Sequence, residues 1–194
     1  AHRSGAASPE QTIRRSFERI RAHGDPAVFI SLREEEDAVA EARALMAAGP
    51  EGKPLYGVPI AVKDNIDVAG LPTTAACPAF SYNPAADATA VTRARLAGAI
   101  VVGKTNLDQF ATGLVGVRSP YGMPRNPFRE GLISGGSSSG SAVAVAAGLV
   151  PVALGVAAIP VRQADATVAL NRDGTLLKRL FSLPISGQLK ASWA

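Results

Sequence analysis

One cysteine, Cys77, stands in the whole 194-residue chain. That scarcity excludes an internal disulfide and a cysteine-based metal cluster. Between Ala76 and Pro78 it reads as a small buried residue and not as a nucleophile. Histidine is nearly as scarce: His2 and His23 both lie in the amino-terminal stretch, where solvated side chains are expected. No His/Cys/Asp cluster has metal-ligand spacing, so no metal or organic cofactor is expected. Long apolar runs are missing too. Gly, Pro or a charge cuts each one before about 18 residues, which excludes a membrane-spanning helix. Residues 1–23 lack the apolar centre of a secretory signal, and a cytoplasmic setting is expected. Charge is sparse at 19%, against 47% hydrophobic residues. Such a composition excludes disorder, and the length allows one domain with a sizeable core.

The net charge of +4 raises the question of nucleic acid. Its distribution argues against it. Residues 1–155 carry 15 Lys and Arg against 14 Asp and Glu, whereas residues 156–194 carry five against two. The basic excess belongs to the tail, without a basic helix or an aromatic stacking platform, so neither nucleic acid nor membrane is expected as a partner.

What is present is a repeated α/β grammar. Ser8-Pro9-Glu10-Gln11 opens a helix with Pro at its first position, Ile13, Phe17 and Ile20 recur at helical spacing, and Gly24-Asp25-Pro26 ends it. Residues 28–32 form a short strand candidate. Residues 34–48 read as an Ala-rich helix closed by Gly49-Pro50, and its four leading acids, Glu34 to Asp37, read as a solvated helix start. Residues 55–62 predict a continuous apolar strand running into Lys63-Asp64-Asn65. Residues 88–97 then predict a helix, Gly98 a stop, and residues 99–106 a strand leading into a polar loop. Apolar runs without alternation, separated by helices, predict an α/β fold: a mixed, largely parallel sheet covered by helices. Ligands gather at the carboxyl ends of such strands, where Lys63 and Asn106 fall.

The densest signal is Ser134-Gly135-Gly136-Ser137-Ser138-Ser139-Gly140-Ser141, which opens onto an Ala/Val helix. Glycines let backbone N–H groups approach a ligand, and a helix start adds unpaired donors and positive potential. A phosphate loop fails in detail, because no Gly-Lys-Ser or Gly-Lys-Thr follows. Lys63, at the end of a buried strand, has two readings. It pairs with a carboxylate such as Asp64 or Asp67, or burial lowers its pKa until it acts as a base. A neutral lysine beside serine hydroxyls can take a proton and activate a nucleophile.

These segments resemble a known family. Gly57-Val58-Pro59-Ile60-Ala61-Val62-Lys63-Asp64-Asn65-Ile66, then Gly103-Lys104-Thr105-Asn106-Leu107-Asp108-Gln109-Phe110, then 134–141 with its helix, are similar in order and spacing to the amidase signature family. Residues 70–80 and 109–122 resemble its allophanate-hydrolysing branch; the branch that amidates mischarged tRNA shares the Lys63 and Ser137 motifs and is the main alternative. The resemblance implies hydrolysis of a small amide, allophanate, to ammonia and carbon dioxide in urea degradation, by a Ser-Ser-Lys mechanism. It implies that Lys63 is the base, that Ser137, preceded by a cis peptide, relays the proton, and that Ser138 supports the same network. Thr112, Gly113, Leu114, Val115 and Gly116 would line the acyl pocket, with loop packing as the other reading. Arg118 reads as a surface arginine or as an attractor for an anionic substrate. A homodimer or a urea carboxylase partner is the assembly implied.

The resemblance then breaks. The family's nucleophilic serine should fall at position 161, which is Val161, and residues 156–166 contain neither a hydroxyl nor a glycine. Residues 167–177 read as a hairpin with an Asp173-Gly174 turn. The expectation is an amino-terminal part of the family domain over 1–155 and a divergent tail over 156–194, truncated, frame-shifted or fused. The chain alone is then inactive, and a non-catalytic remnant or binding scaffold is the reading from another class.

Overall fold

Short apolar strands buried on two faces need two layers of cover, and helices supply them in the computed structural model, which describes residues 2, 5–156 and 167–170. The elements follow in the order α1 (Pro9–His23), β1 (Phe29–Leu32), α2 (Glu35–Ala48), β2 (Pro59–Lys63), α3 (Thr89–Leu96), β3 (Ile100–Thr105), α4 (Ser139–Ala146), β4 (Val152–Val156) and β5 (Thr167–Leu170).

Local chemistry accounts for the first helix. The Gln11 amide donates to Ser8 Oγ at 3.1 Å, and the Ser8 amide donates to Gln11 Oε1 at 3.0 Å. This reciprocal pair satisfies two donors that a helix start leaves open. Gly24 closes the helix at φ 61°, and Ile13 and Phe17 are buried. Ser8→Ala should lower stability by about 1 kcal/mol in a chemical melt followed by circular dichroism, and an unchanged midpoint would mean that water replaces the cap without loss.

The acidic start of α2 is more than solvated. Glu35 pairs with Arg14 and Arg21 at 3.5 and 2.5 Å, and Glu36 with Arg14 at 2.7 Å, so the run faces the basic side of α1. His2 also departs from expectation. Its ring nitrogens lie 2.7 Å from Tyr56 O and 2.7 Å from Thr12 Oγ1, so the side chain fastens the terminus to α1 and the turn before β2. His23 is half-buried, with Nε2 enclosed. A sequence shows neither contact, because both depend on where distant segments return.

The sheet has the order β1-β3-β2-β4-β5. Its centre is parallel, β2 pairing with both β3 and β4, and its edges are antiparallel, β1 on β3 and β5 on β4. This is the mixed α/β sheet expected. Strand β2 is shorter than the apolar run from Leu55, because Gly57 takes φ 71° and Leu55 and Val58 close a turn. Residues 167–170 do form a strand, but its partner is β4, with Thr167 opposite Val156. The rest of the expected hairpin, 171–177, and the position of Val161 lie outside the described residues.

The two faces divide the core. On one, Ile13 and Phe17 of α1, Ala38, Val39 and Ala42 of α2, and Val143 to Val145 of α4 pack on Ala61, Val102 and Ala153. On the other, Val91 and Ala94 of α3 meet Ile60, Val62, Val101, Val152 and Leu154. Neighbouring strand residues thus face opposite layers, as a pleat requires. Among the described residues no helix is long and apolar enough to cross a membrane.

Candidate functional site

Because β2 and β3 are parallel, their carboxyl ends arrive together, with Val62 opposite Lys104 and Lys63 opposite Thr105. Lys63 is fully buried, and its Nζ donates to Ser137 Oγ at 2.7 Å across 74 residues of sequence. Ser137 is itself 1% exposed, and it belongs to the turn that feeds α4; the Gly136–Ser137 peptide is cis. Burial pushes the Lys63 amine down to about 8, while the Asp108 carboxylate opposes the fall. A lysine with that pKa is neutral in a useful fraction near physiological pH, and only the neutral amine has a lone pair to receive a proton.

Both carboxylates suggested as partners of Lys63 are engaged elsewhere. Asp64 lies 3.4 Å from Lys104 Nζ, and its Oδ2 accepts from the Thr74 amide at 2.9 Å and the Thr74 hydroxyl at 2.5 Å. Asp67 accepts from Thr73 and from the Tyr82 hydroxyl. Lys104 is fully buried and also donates to Pro72 O and Thr73 Oγ1, each at 3.1 Å. It anchors the 70–76 loop. Asn106, at the carboxyl end of β3, is consumed by structure: Nδ2 donates to Ala27 O and Gly122 O, and Oδ1 accepts from the Leu107 amide and Ser119 Oγ.

The other expected residues sort by position. Residues 112–116 run beside the Ser137 turn, with the Gly136 amide donating to Leu114 O at 3.0 Å. Gly113 and Gly116 are buried, Val115 is half-buried, and Thr112 and Leu114 are exposed. Ser138 occupies the N-cap position of α4, beside Gly155. Ser141 knits α4 to the sheet through Thr105 Oγ1 at 2.6 Å and Leu154 O at 3.3 Å. Arg118 is exposed and contributes its backbone amide to Asp108. Cys77 is half-buried where a buried thiol was expected. Asp108 is the residue that sequence reasoning passed over. It sat inside a quoted motif, but a single acid after a strand looks the same whether it faces solvent or lies buried.

Comparison with known proteins places this geometry in context. The sequence profile of the family described as Amidase matches residues 11–156. Urea amidolyase of Lachancea kluyveri is 54% identical over 156 residues, covering 78% of this chain. A glutamyl-tRNA(Gln) amidotransferase subunit of Streptococcus pneumoniae is 48% identical over 129 residues, 66% of this chain and 26% of the relative. Among solved structures, Kluyveromyces lactis allophanate hydrolase superposes with a TM-score of 0.69 at 49% identity, over 78% of this chain and 26% of that one. The chain spans only 8% of the length of the urea amidolyase it matches.

Proposed function

Because the chain belongs to the amidase family, we propose that Lys63 and Ser137 are the base and the proton relay of an amide-cleaving site whose substrate is allophanate. The observation that supports this reading is the buried 2.7 Å contact between an amine of lowered pKa and a serine hydroxyl. In the neutral state the Lys63 amine accepts the Ser137 proton as Ser137 Oγ accepts one from an attacking hydroxyl. The reverse transfer delivers a proton to the leaving nitrogen, and ammonia departs. Thr112, Gly113, Leu114, Val115 and Gly116 line the acyl side, and Ser138 supports the relay at the start of α4. A second copy or a urea carboxylase is the partner proposed.

The attacking hydroxyl is what this chain does not carry. In the family it would stand at position 161, and Val161 offers only methyl groups. Removing the nucleophile from a serine-centred hydrolase costs on the order of 10⁶ in turnover. The chain is therefore a relay without an attacker, and the division into 1–155 and a divergent 156–194 follows from the same observation. Sequencing the encoding DNA across codons 150–165 checks whether a shifted frame restores the missing motif.

Two measurements test the reading on the full chain. A ¹⁵N-lysine titration should place Lys63 near 8 instead of the ordinary 10.5, its neutral fraction growing as pH rises through that value; a midpoint at the ordinary value removes the base. A fluorophosphonate probe should leave the protein untagged, with no ammonia released from allophanate or glutamine. Enzyme-like release from allophanate would overturn the missing attacker, and release from glutamine alone would move the substrate to the tRNA-amidating branch.

A further inference from the structure

Asp108 is fully buried, yet the proton transfer proposed above gives its carboxylate no role. Its Oδ2 accepts from the Gly116 amide at 3.0 Å and its Oδ1 from the Arg118 amide at 2.8 Å. Its own amide donates to Ser137 O at 2.9 Å. A carboxylate taken out of water needs donors in return, and here both come from one loop. Glycines close around it: a Cβ at Gly113 or at Gly136 would collide with Asp108 Oδ2, and Gly116 is itself a donor. No side chain fits at Gly113 or Gly136 while the Asp108 carboxylate stays where it is. A second strap, from the Gly136 amide to Leu114 O at 3.0 Å, ties the same two segments together.

We infer that Asp108 is a positioning residue: its carboxylate clamps the 112–118 loop while its amide holds Ser137, so that the loop and the relay serine are set relative to Lys63 as one unit. The inference rests on the reading of Ser137 as relay and of the loop as substrate-facing. The charge of Asp108 also opposes the effect of burial on Lys63, so it reaches the base as well as the serine. Asp108 touches no substrate in this scheme. It acts through Ser137 and through the loop.

The test uses the full chain with ¹⁵N labels, reading amide exchange and the Lys63 titration together. In the unsubstituted protein the amides of Gly116, Arg118 and Asp108 should exchange through one shared opening event. Asp108→Asn keeps the shape but turns one acceptor into a donor, so Gly116 or Arg118 should exchange roughly tenfold to a hundredfold faster. The Lys63 midpoint should fall below the unsubstituted value, because a neighbouring negative charge has gone. Asp108→Glu restores the charge but carries it one methylene farther from the backbone, off the Gly116 and Arg118 amides, and should not rescue the exchange rates. An unmoved Lys63 midpoint in Asp108→Asn, or full rescue by Asp108→Glu, would overturn the clamp. If Asp108→Asn does not fold, the unsubstituted protein decides, since separate openings of the three amides sink the inference and a shared one supports it. Ser137→Ala separates this from the function proposed above. A Lys63 midpoint that moves in Asp108→Asn but not in Ser137→Ala would leave the clamp standing and remove the relay.

Discussion

Gly140→Ala should cost about 3 kcal/mol of stability in a urea melt, the upper end of what overpacking costs and a large fraction of a domain's total stability. At this position α4 leans on the loop after β3 with backbone against backbone: the Gly140 amide donates to Asn106 O at 3.0 Å. An added Cβ would run into Val28 O and stand 2.5 Å from Asn106 N and 2.9 Å from Asn106 O. None of these atoms is the end of a flexible side chain. Relief would require α4 to move away from β1 and β3 together, and that would also pull Ser141 from Thr105. A loss below about 1 kcal/mol would show that the helix shifts freely, and the account of close packing here would be wrong.

Lys104→Met should be at least as damaging, at about 3–5 kcal/mol, because it leaves the Asp64 carboxylate buried without its cation. The side chain volume is roughly kept, so the loss reports charge and hydrogen bonding more than a cavity. Pro72 O and Thr73 Oγ1 lose their donor at the same time. Replacing both partners, with Asp64→Leu added to Lys104→Met, should cost less than the single change, since no lone charge remains. Additive losses would mean that the two residues do not act as a pair. The sign with pH also follows. Burial lowers the Lys104 pKa, with Asp64 opposing the fall. As pH rises through the folded pKa, the unfolded chain still holds the proton that the folded chain has released, so stability increases toward the ordinary lysine value of 10.5. Lys104→Met should remove that part of the slope.

Particular elements show why some of this was legible in advance. Ser8, Pro9 and Gly24 act on residues within one helical turn, so their order alone announces α1 and its ends. The apolar run that ends in Lys63 announces a buried strand with a cation at its carboxyl end, and the Gly/Ser turn with its Ala/Val helix announces the other half of the site. The family could be read from those motifs, and so could the absence of a hydroxyl over residues 156–166. All of these are properties of composition and short-range spacing.

Pairing was different. Which carboxylate meets which lysine depends on the direction each side chain takes once β2 and β3 are in register, and that register shifts between Ile60 and Ala61. A one-residue slip reverses the face a strand residue points to, and no local signal in the sequence announces it. Thus Asp64, next to Lys63 in the chain, serves Lys104 instead, while Lys63 meets Ser137. His2 was expected in solvent for the same reason, since Tyr56 and Thr12 come to it only through folding. Residue order alone carries the family, the strand-end lysine and the run without a hydroxyl over residues 156–166. Folding in three dimensions set Asp108 among glycines against Ser137, because enclosure is made by segments that meet only when the sheet has formed.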